Sequence, residues 1–243
     1  MTGLTHRTKQ TKLYKWRKAN GIQVFTDAAP VRAHILELRA VNVTDSMIAH
    51  ASECDPQYIA YIADGTTQKM RPDIARRILD VSHIPDPRQH FVLAIGFVRR
   101  MRGLTALGWP SMLIAERLGV HGKDKLNNMV RQTAIGYQRW AAMRDLYDEL
   151  SGTPGPSRRS VAVGRRFQYM PPLAWEGIDI DDPRAQPDWA AAGVKLTDRP
   201  MCPNNHLYTA DNIYRDNRGN RSCKTCRRNA NRRRRQRVAK GVN

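Results

Sequence analysis

Acidic residues are scarce in this chain: 22 against 41 lysines and arginines, a formal net charge of +19 over 243 residues. Such an imbalance points to a polyanionic partner. Aromatic residues make up only 7%, which excludes a large aromatic core. No run of eighteen apolar residues occurs, so no membrane-spanning helix is expected. The N-terminus has charges but no apolar stretch of the signal-peptide kind, which predicts no secretion. There are only four cysteines, and disulfides are not expected in a reducing compartment. Runs of β-branched residues are also few. Alanine, leucine, arginine and methionine dominate, so the fold class is mainly α.

Three of the four cysteines fall in one short stretch with a histidine: Cys202, His206, Cys223 and Cys226. Their spacing is C-x3-H-x16-C-x2-C. Zinc favours four tetrahedral nitrogen and sulfur ligands, and a closed Cys3His set leaves no position for a substrate. The reading is one structural Zn2+. Asn217-Arg218-Gly219-Asn220 suits a hairpin turn between the two ligand pairs. Cys54 stands apart and reads as a small core residue.

The charge is concentrated at the two ends. Residues 1–20 hold Arg7, Lys9, Lys12, Lys15, Arg17 and Lys18, with no acid. Residues 224–243 hold Lys224, Arg227, Arg228, Arg232, Arg233, Arg234, Arg235, Arg237 and Lys240, again with no acid. Basic arms on a nearly balanced body suit the wrapping of double-stranded DNA. Arginine's planar fork matches phosphate and guanine edges, which mere solubility would not require.

Five segments follow from composition. Residues 1–25 are a basic arm, in which Tyr14 and Trp16 suggest a helix that is partly packed. Residues 26–84 and 91–150 are two helical modules. Residues 151–199 form a Pro/Gly-rich, then acidic, linker, expected to be solvated and able to shield the basic tail. Residues 200–243 are the zinc module and its tail.

The two modules follow one grammar. In the first, Val31, Ile35 and Leu38 line a helix face, Thr44 to Ala51 forms a short helix, and Asp55 to Ala63 the next. In the second, Val98, Met101 and Leu104 begin the helix. Ser111 to Leu118 is the short one, Gly119-Val120 the turn, and Lys125 to Val130 the next. Val31 to Ile48 spans 17 positions, and Val98 to Ile114 spans 16. Closing helices are expected at Pro72 to Val81 and Ile135 to Leu150. A small alanine (Ala49, Ala115) and a turn residue tolerant of positive φ (Gly119) are what a helix-turn-helix needs. Glu53 stands where glycine is usual, so the first turn is expected to be strained or longer. The second carries an extra residue near Gly122.

A second helix of this kind sits in the major groove. Lys123, Lys125, Asn127, Asn128 and Arg131 are its outward candidates, with Leu126, Met129 and Val130 facing the core. The first module offers Gln57, Tyr58 and Tyr61, then Lys69 and Arg71, a poorly basic face suited to phosphate or to a partner. The arm residues Lys12, Lys15, Arg17 and Lys18 suit a minor groove. Arg227, Arg228 and Arg232 to Arg235 suit phosphates. Tyr208 and Tyr214 are expected in the small core of the zinc module.

These residues carry a resemblance. Pro30-Val31-Arg32-Ala33-His34, Ile48-Ala49 and Arg71 to Leu79 resemble a helix-turn-helix family of actinobacteria and their bacteriophages. So do Leu107-Gly108-Trp109, Ala115 to Val120, Leu146 to Leu150, Thr153-Pro154-Gly155 and Pro171 to Trp175. It covers most of residues 26–190. The zinc segment resembles the treble-clef frame of HNH-type endonucleases and related phage fingers. The resemblance implies a sequence-specific DNA-binding regulator, repressor-like, in the cytoplasm of a bacterial cell on its nucleoid. A nuclease of the HNH type is the enzymatic alternative. It is not favoured, because no histidine follows Cys226. An RNA-binding or protein-interaction factor is the other alternative. No membrane partner, small-molecule substrate or catalytic residue is expected, and a monomer is favoured over a dimer.

Overall fold

Two-faced helices and short strands close two small cores in sequence. The computed structural model describes residues 6–21, 23–121, 123–194, 199–202, 204, 206–217 and 219–239. Among these the chain is mainly helical, with eleven α-helices and three two-stranded ladders.

An N-terminal helix, α1 (His6–Ala19), precedes the first core. The first unit then runs β1 (Thr26–Asp27), α2 (Ala29–Ala40), α3 (Asp45–Ser52), α4 (Pro56–Ala63), β2 (Lys69–Met70) and α5 (Pro72–Leu79). Prolines open α2, α4 and α5, where a missing N–H costs nothing. Thr44 caps α3 by accepting from the Met47 N–H, and Asp55 caps α4 by accepting from Gln57. Val31, Ile35, Ile48, Ile59, Ile62, Met70 and Ile78 fill the core. Cys54 is half-buried against it.

The second unit repeats that order: β3 (Phe91–Leu93), α6 (Ile95–Leu107), α7 (Ser111–Arg117), α8 (Lys123–Met129), β4 (Ala134–Gly136) and α9 (Tyr137–Leu150). In each unit the strand before the first helix pairs antiparallel with the strand before the last. The correspondence is residue by residue. Ala28 and Ala94 both start their helix in αR geometry, and both are buried. The Ala28 N–H donates to Gln68 O (3.0 Å), and the Ala94 N–H to Thr133 O (2.9 Å). Val31, Ile35, Leu38, Ile48 and Ala49 recur as Phe97, Met101, Leu104, Ile114 and Ala115. Positive φ recurs too: Asn42 (69°) and Glu53 (54°) match Gly108 (106°) and Gly119 (61°).

This corrects the expected register. The counterpart of Val31 is Phe97, which is fully buried, and not the half-exposed Val98. The spacing to the isoleucine is therefore 17 in both units. Glu53 keeps the tight turn with no added residue. Left-handed geometry at a non-glycine costs about 1–2 kcal/mol. Gly122 lies outside the described residues. The two closing helices are shorter than expected, because Ile135 belongs to β4 and α5 stops at Leu79.

The units share a face. Leu93 is buried in the first core, and Ile95 and Ala134 pack against it. The connector is locked by Gln89, 5% exposed. Its amide donates to Met47 O (3.0 Å) and accepts from the Asp86 N–H (2.9 Å).

Residues 151–194 are not the solvated linker that their composition suggests. They carry α10 (Arg158–Arg166) and a 3-10 turn at Pro172–Trp175, both against α6. Gly164 permits the α10–α6 approach: a Cβ there would lie 2.8 Å from the Ala106 Cα. Two of the segment's acids, Asp179 and Asp181, are engaged within the fold. Asp181 takes two bonds from Arg100 (2.7 Å each) and one from Trp140 Nε1 (2.8 Å). Gly96 makes room for that carboxylate, since a Cβ would overlap it. Arg99 donates to the carbonyls of Ile180, Asp182 and Ala185. His83 Nε2 meets Asp179 Oδ2 at 2.8 Å.

Candidate metal centre and nucleic-acid interface

The C-terminal segment is a tight loop, a hairpin and a helix. The Cys202 N–H donates to His206 O (3.0 Å), and a bridge joins Met201 to Leu207. These contacts fold the first ligand pair back on itself. The hairpin is β5 (Ile213–Arg215) and β6 (Arg221–Cys223). Asp216 closes its turn, accepting the Asn220 N–H at 2.9 Å. Helix α11 (Lys224–Ala239) starts at once, with Cys226 in its first turn.

The ligand atoms of Cys202, His206, Cys223 and Cys226 all lie within 4.8 Å of one another. Cys202 Sγ to Cys226 Sγ is 3.6 Å, and His206 Nδ1 lies 3.4 and 3.2 Å from those sulfurs. A tetrahedral zinc with Zn–S of about 2.3 Å needs sulfur–sulfur edges of about 3.8 Å. The group therefore fits one structural zinc, with the four residues as its ligands. Backbone N–H groups of His206 (3.4 Å) and Cys226 (3.5 Å) point at the Cys202 and Cys223 sulfurs, and Asn204 Nδ2 at Cys226 (3.2 Å). Burial opposes ionisation of Cys223, but bonds from Cys226, Asn212 and Cys202 carry its pKa below the ordinary thiol value.

Asn212 is a supporting residue that spacing did not reveal. Its amide nitrogen donates to Leu207 O (2.6 Å) and approaches Cys223 Sγ (3.4 Å). Its Oδ1 accepts from Thr225 N (3.0 Å) and Thr225 Oγ1 (2.8 Å). One side chain thus ties the first ligand loop to the start of α11.

On α11, Arg227, Arg228 and Arg232 to Arg235 are all exposed. Four consecutive arginines, 100° apart, surround the axis, so this helix presents no apolar face for packing. The two tyrosines are only partly core. Arg221 lies over the half-buried Tyr208 at 4.2 Å, and Arg227 over the exposed Tyr214 at 4.9 Å.

On α8, Leu126 is fully buried, and Met129 and Val130 pack against the second core. Lys125, Asn127 and Asn128 are exposed, as is Arg131 beyond the helix. The side chain of Lys123 lies outside the described residues. Lys125 and Asn128 border a groove of about 570 Å³ whose other wall includes Gln138 and Arg139 of α9. Gln132 also lines it. Sequence spacing missed these three because they lie beyond the helix that carries the pattern.

The α4 face is poorer in cations. Gln57 and Tyr61 are exposed, but Tyr58 is half-buried against the first core, and burial raises its phenol pKa. Arg71 pairs with Asp73 (3.1 Å), and Lys69 sits in β2 opposite Asp27. Acids Asp55 and Asp64 stand at the two ends of α4. On α1, Lys12, Lys15 and Lys18 are exposed and Arg17 is half-buried. Contrary to the expected packing, Trp16 is 57% exposed and no described side chain of α1 is buried. Among the described residues no helix is long and apolar enough to cross a membrane.

No protein-family model, curated protein or solved structure matches this chain.

Proposed function

We propose that this chain is a sequence-specific duplex-DNA-binding protein, a transcriptional regulator of the repressor kind. On this reading α3–α4 and α7–α8 are tandem helix-turn-helix readers. Residues 200–226 are a treble-clef-like zinc module that aims α11 along the phosphates. The observation that carries the reading is α8. A fully buried Leu126 anchors the helix, and Lys125, Asn127 and Asn128 stand exposed around it. Asparagine suits the adenine N6/N7 edge, and lysine suits guanine. The Cys3His set fills a tetrahedral shell, which suits a structural ion and not a catalytic one.

Selection from a random duplex library, at moderate salt with zinc present, tests this. An asymmetric consensus longer than one reader's footprint is expected. Asn128→Ala should relax one position of it and cost about 1–3 kcal/mol at that base. Binding without a consensus, vanishing as salt rises, would sink the proposal.

A further inference from the structure

Arg158, Arg159, Arg165 and Arg166 project from α10, all exposed. None has a carboxylate or hydrogen-bond partner among the described residues. The helix is strongly two-faced: Ser160 and Gly164 are buried, and the arginines stand opposite. It ends in a turn with Gln168 in left-handed geometry (φ 53°) and the Tyr169 N–H bonded to Gly164 O at 2.8 Å. That strained residue brings two rings together. Phe167 and Tyr169 stack at 5.9 Å and 26°. Each ring has a guanidinium over it: Arg166 at 5.5 Å from Phe167 and Arg102 at 5.3 Å from Tyr169. Phe167 is 58% exposed and stands beside these arginines. The same rings open on a cleft of about 240 Å³ that Trp175 and Trp189 also line.

We infer that this surface is a second nucleic-acid site, specific for an unpaired strand. Unpaired nucleic acid is bound by aromatic rings that stack on bases, beside cations that follow the phosphates. Both parts are here within a dozen residues. Duplex DNA hides its base faces, so Phe167 and Tyr169 would gain nothing from it. A 5.9 Å separation is too small to admit a base between the two rings. The base therefore takes the place of the Arg166 guanidinium on Phe167 and frees that arginine for the adjoining phosphate. Arg158, Arg159 and Arg165 continue the phosphate track along α10. The site is built on α10 and the turn after it, not on α8 or α11, and it goes beyond the duplex reading.

The test uses the full-length zinc-loaded protein, a labelled 20-nucleotide oligodeoxythymidine and a 20-base-pair duplex, at about 0.3 M salt to suppress α11's charge contribution. Phe167→Leu keeps bulk but removes the ring. It should weaken single-strand binding by about tenfold and leave duplex binding within about twofold. Phe167→Trp should retain single-strand binding. The double variant Arg165→Ala, Arg166→Ala should lower the single-strand salt slope by about 1.4. Oligouridine identifies the source of the strand: a Phe167→Leu loss with either DNA or RNA supports the site, and loss with neither overturns it. An equal loss on duplex also overturns it. If no duplex consensus exists but the Phe167 effect remains, the regulator reading fails and this site stands.

Discussion

Asp181 ties its own segment to two helices of the second unit, α6 and α9. It binds Arg100 twice and Trp140 once, and Arg100 is only 6% exposed. Asp181→Ala would strand a buried guanidinium, at a cost of about 3–5 kcal/mol. Urea unfolding should show it as a lower midpoint, and an unchanged midpoint would contradict the packing of this segment. Asp179 gives a pH dependence. Burial, the largest single influence, raises its pKa, but the bond and attraction of His83 together with the backbone N–H groups of Asp181 and Asp182 hold it below the ordinary carboxylate value. A depressed folded pKa adds stability above about pH 4, and that contribution is lost as pH falls through the folded value. Asp179→Asn should therefore lower the neutral plateau of a melting-temperature profile and leave its acid end unchanged, which flattens the acid limb. At the metal centre, Cys223→Ser removes one ligand of four. We expect no stoichiometric zinc by elemental analysis and loss of structure over 200–226, with melting of the two helical units unchanged.

Among the elements, α11 carries a distinct expectation. Arginines four apart, such as Arg228 and Arg232, repel along a helix with no acid to offset them. Circular dichroism at low salt should show helix content rising when duplex DNA is added, and chloride alone should reproduce only part of the gain. Elements also differ in how far they could be read from sequence. The metal group was legible because ligand number and spacing obey a strict geometric demand. The start of the short helix at Thr44 was legible for a similar reason: a side-chain oxygen before an apolar period favours a cap. The ladders β1–β2 and β3–β4 were not, because two or three residues carry no period. Nor was the register of α6, where Phe97 and Val98 are both apolar and only packing separates them. Segment 151–194 misled because proline, glycine and acid suggest solvent. Here the glycine lets two helices touch, Asp181 answers Arg100, and backbone carbonyls answer Arg99. Asn212 was hidden because nothing local distinguishes a clamp from any other asparagine.

At the scale of the whole molecule, two units share a plan but not a chemistry. The α8 face has exposed lysine and asparagines, whereas α4 has acids at both ends. On the regulator reading, the second unit supplies most of the base discrimination. Alanine at Gln57 and Tyr61 together should therefore lower duplex affinity less than alanine at Lys125 and Asn128, in titrations on the selected site. The burial of Leu93, with Ile95 and Ala134, in the first unit's core has a further consequence. That interlock leaves little slack between neighbours, so on the same reading the two readers would act as a ruler. Moving their sub-sites apart by a single base pair turns one about 35° around the duplex, and the packing of Leu93 and the bonds of Gln89 resist such a turn. An operator with such an insertion should bind like half of itself.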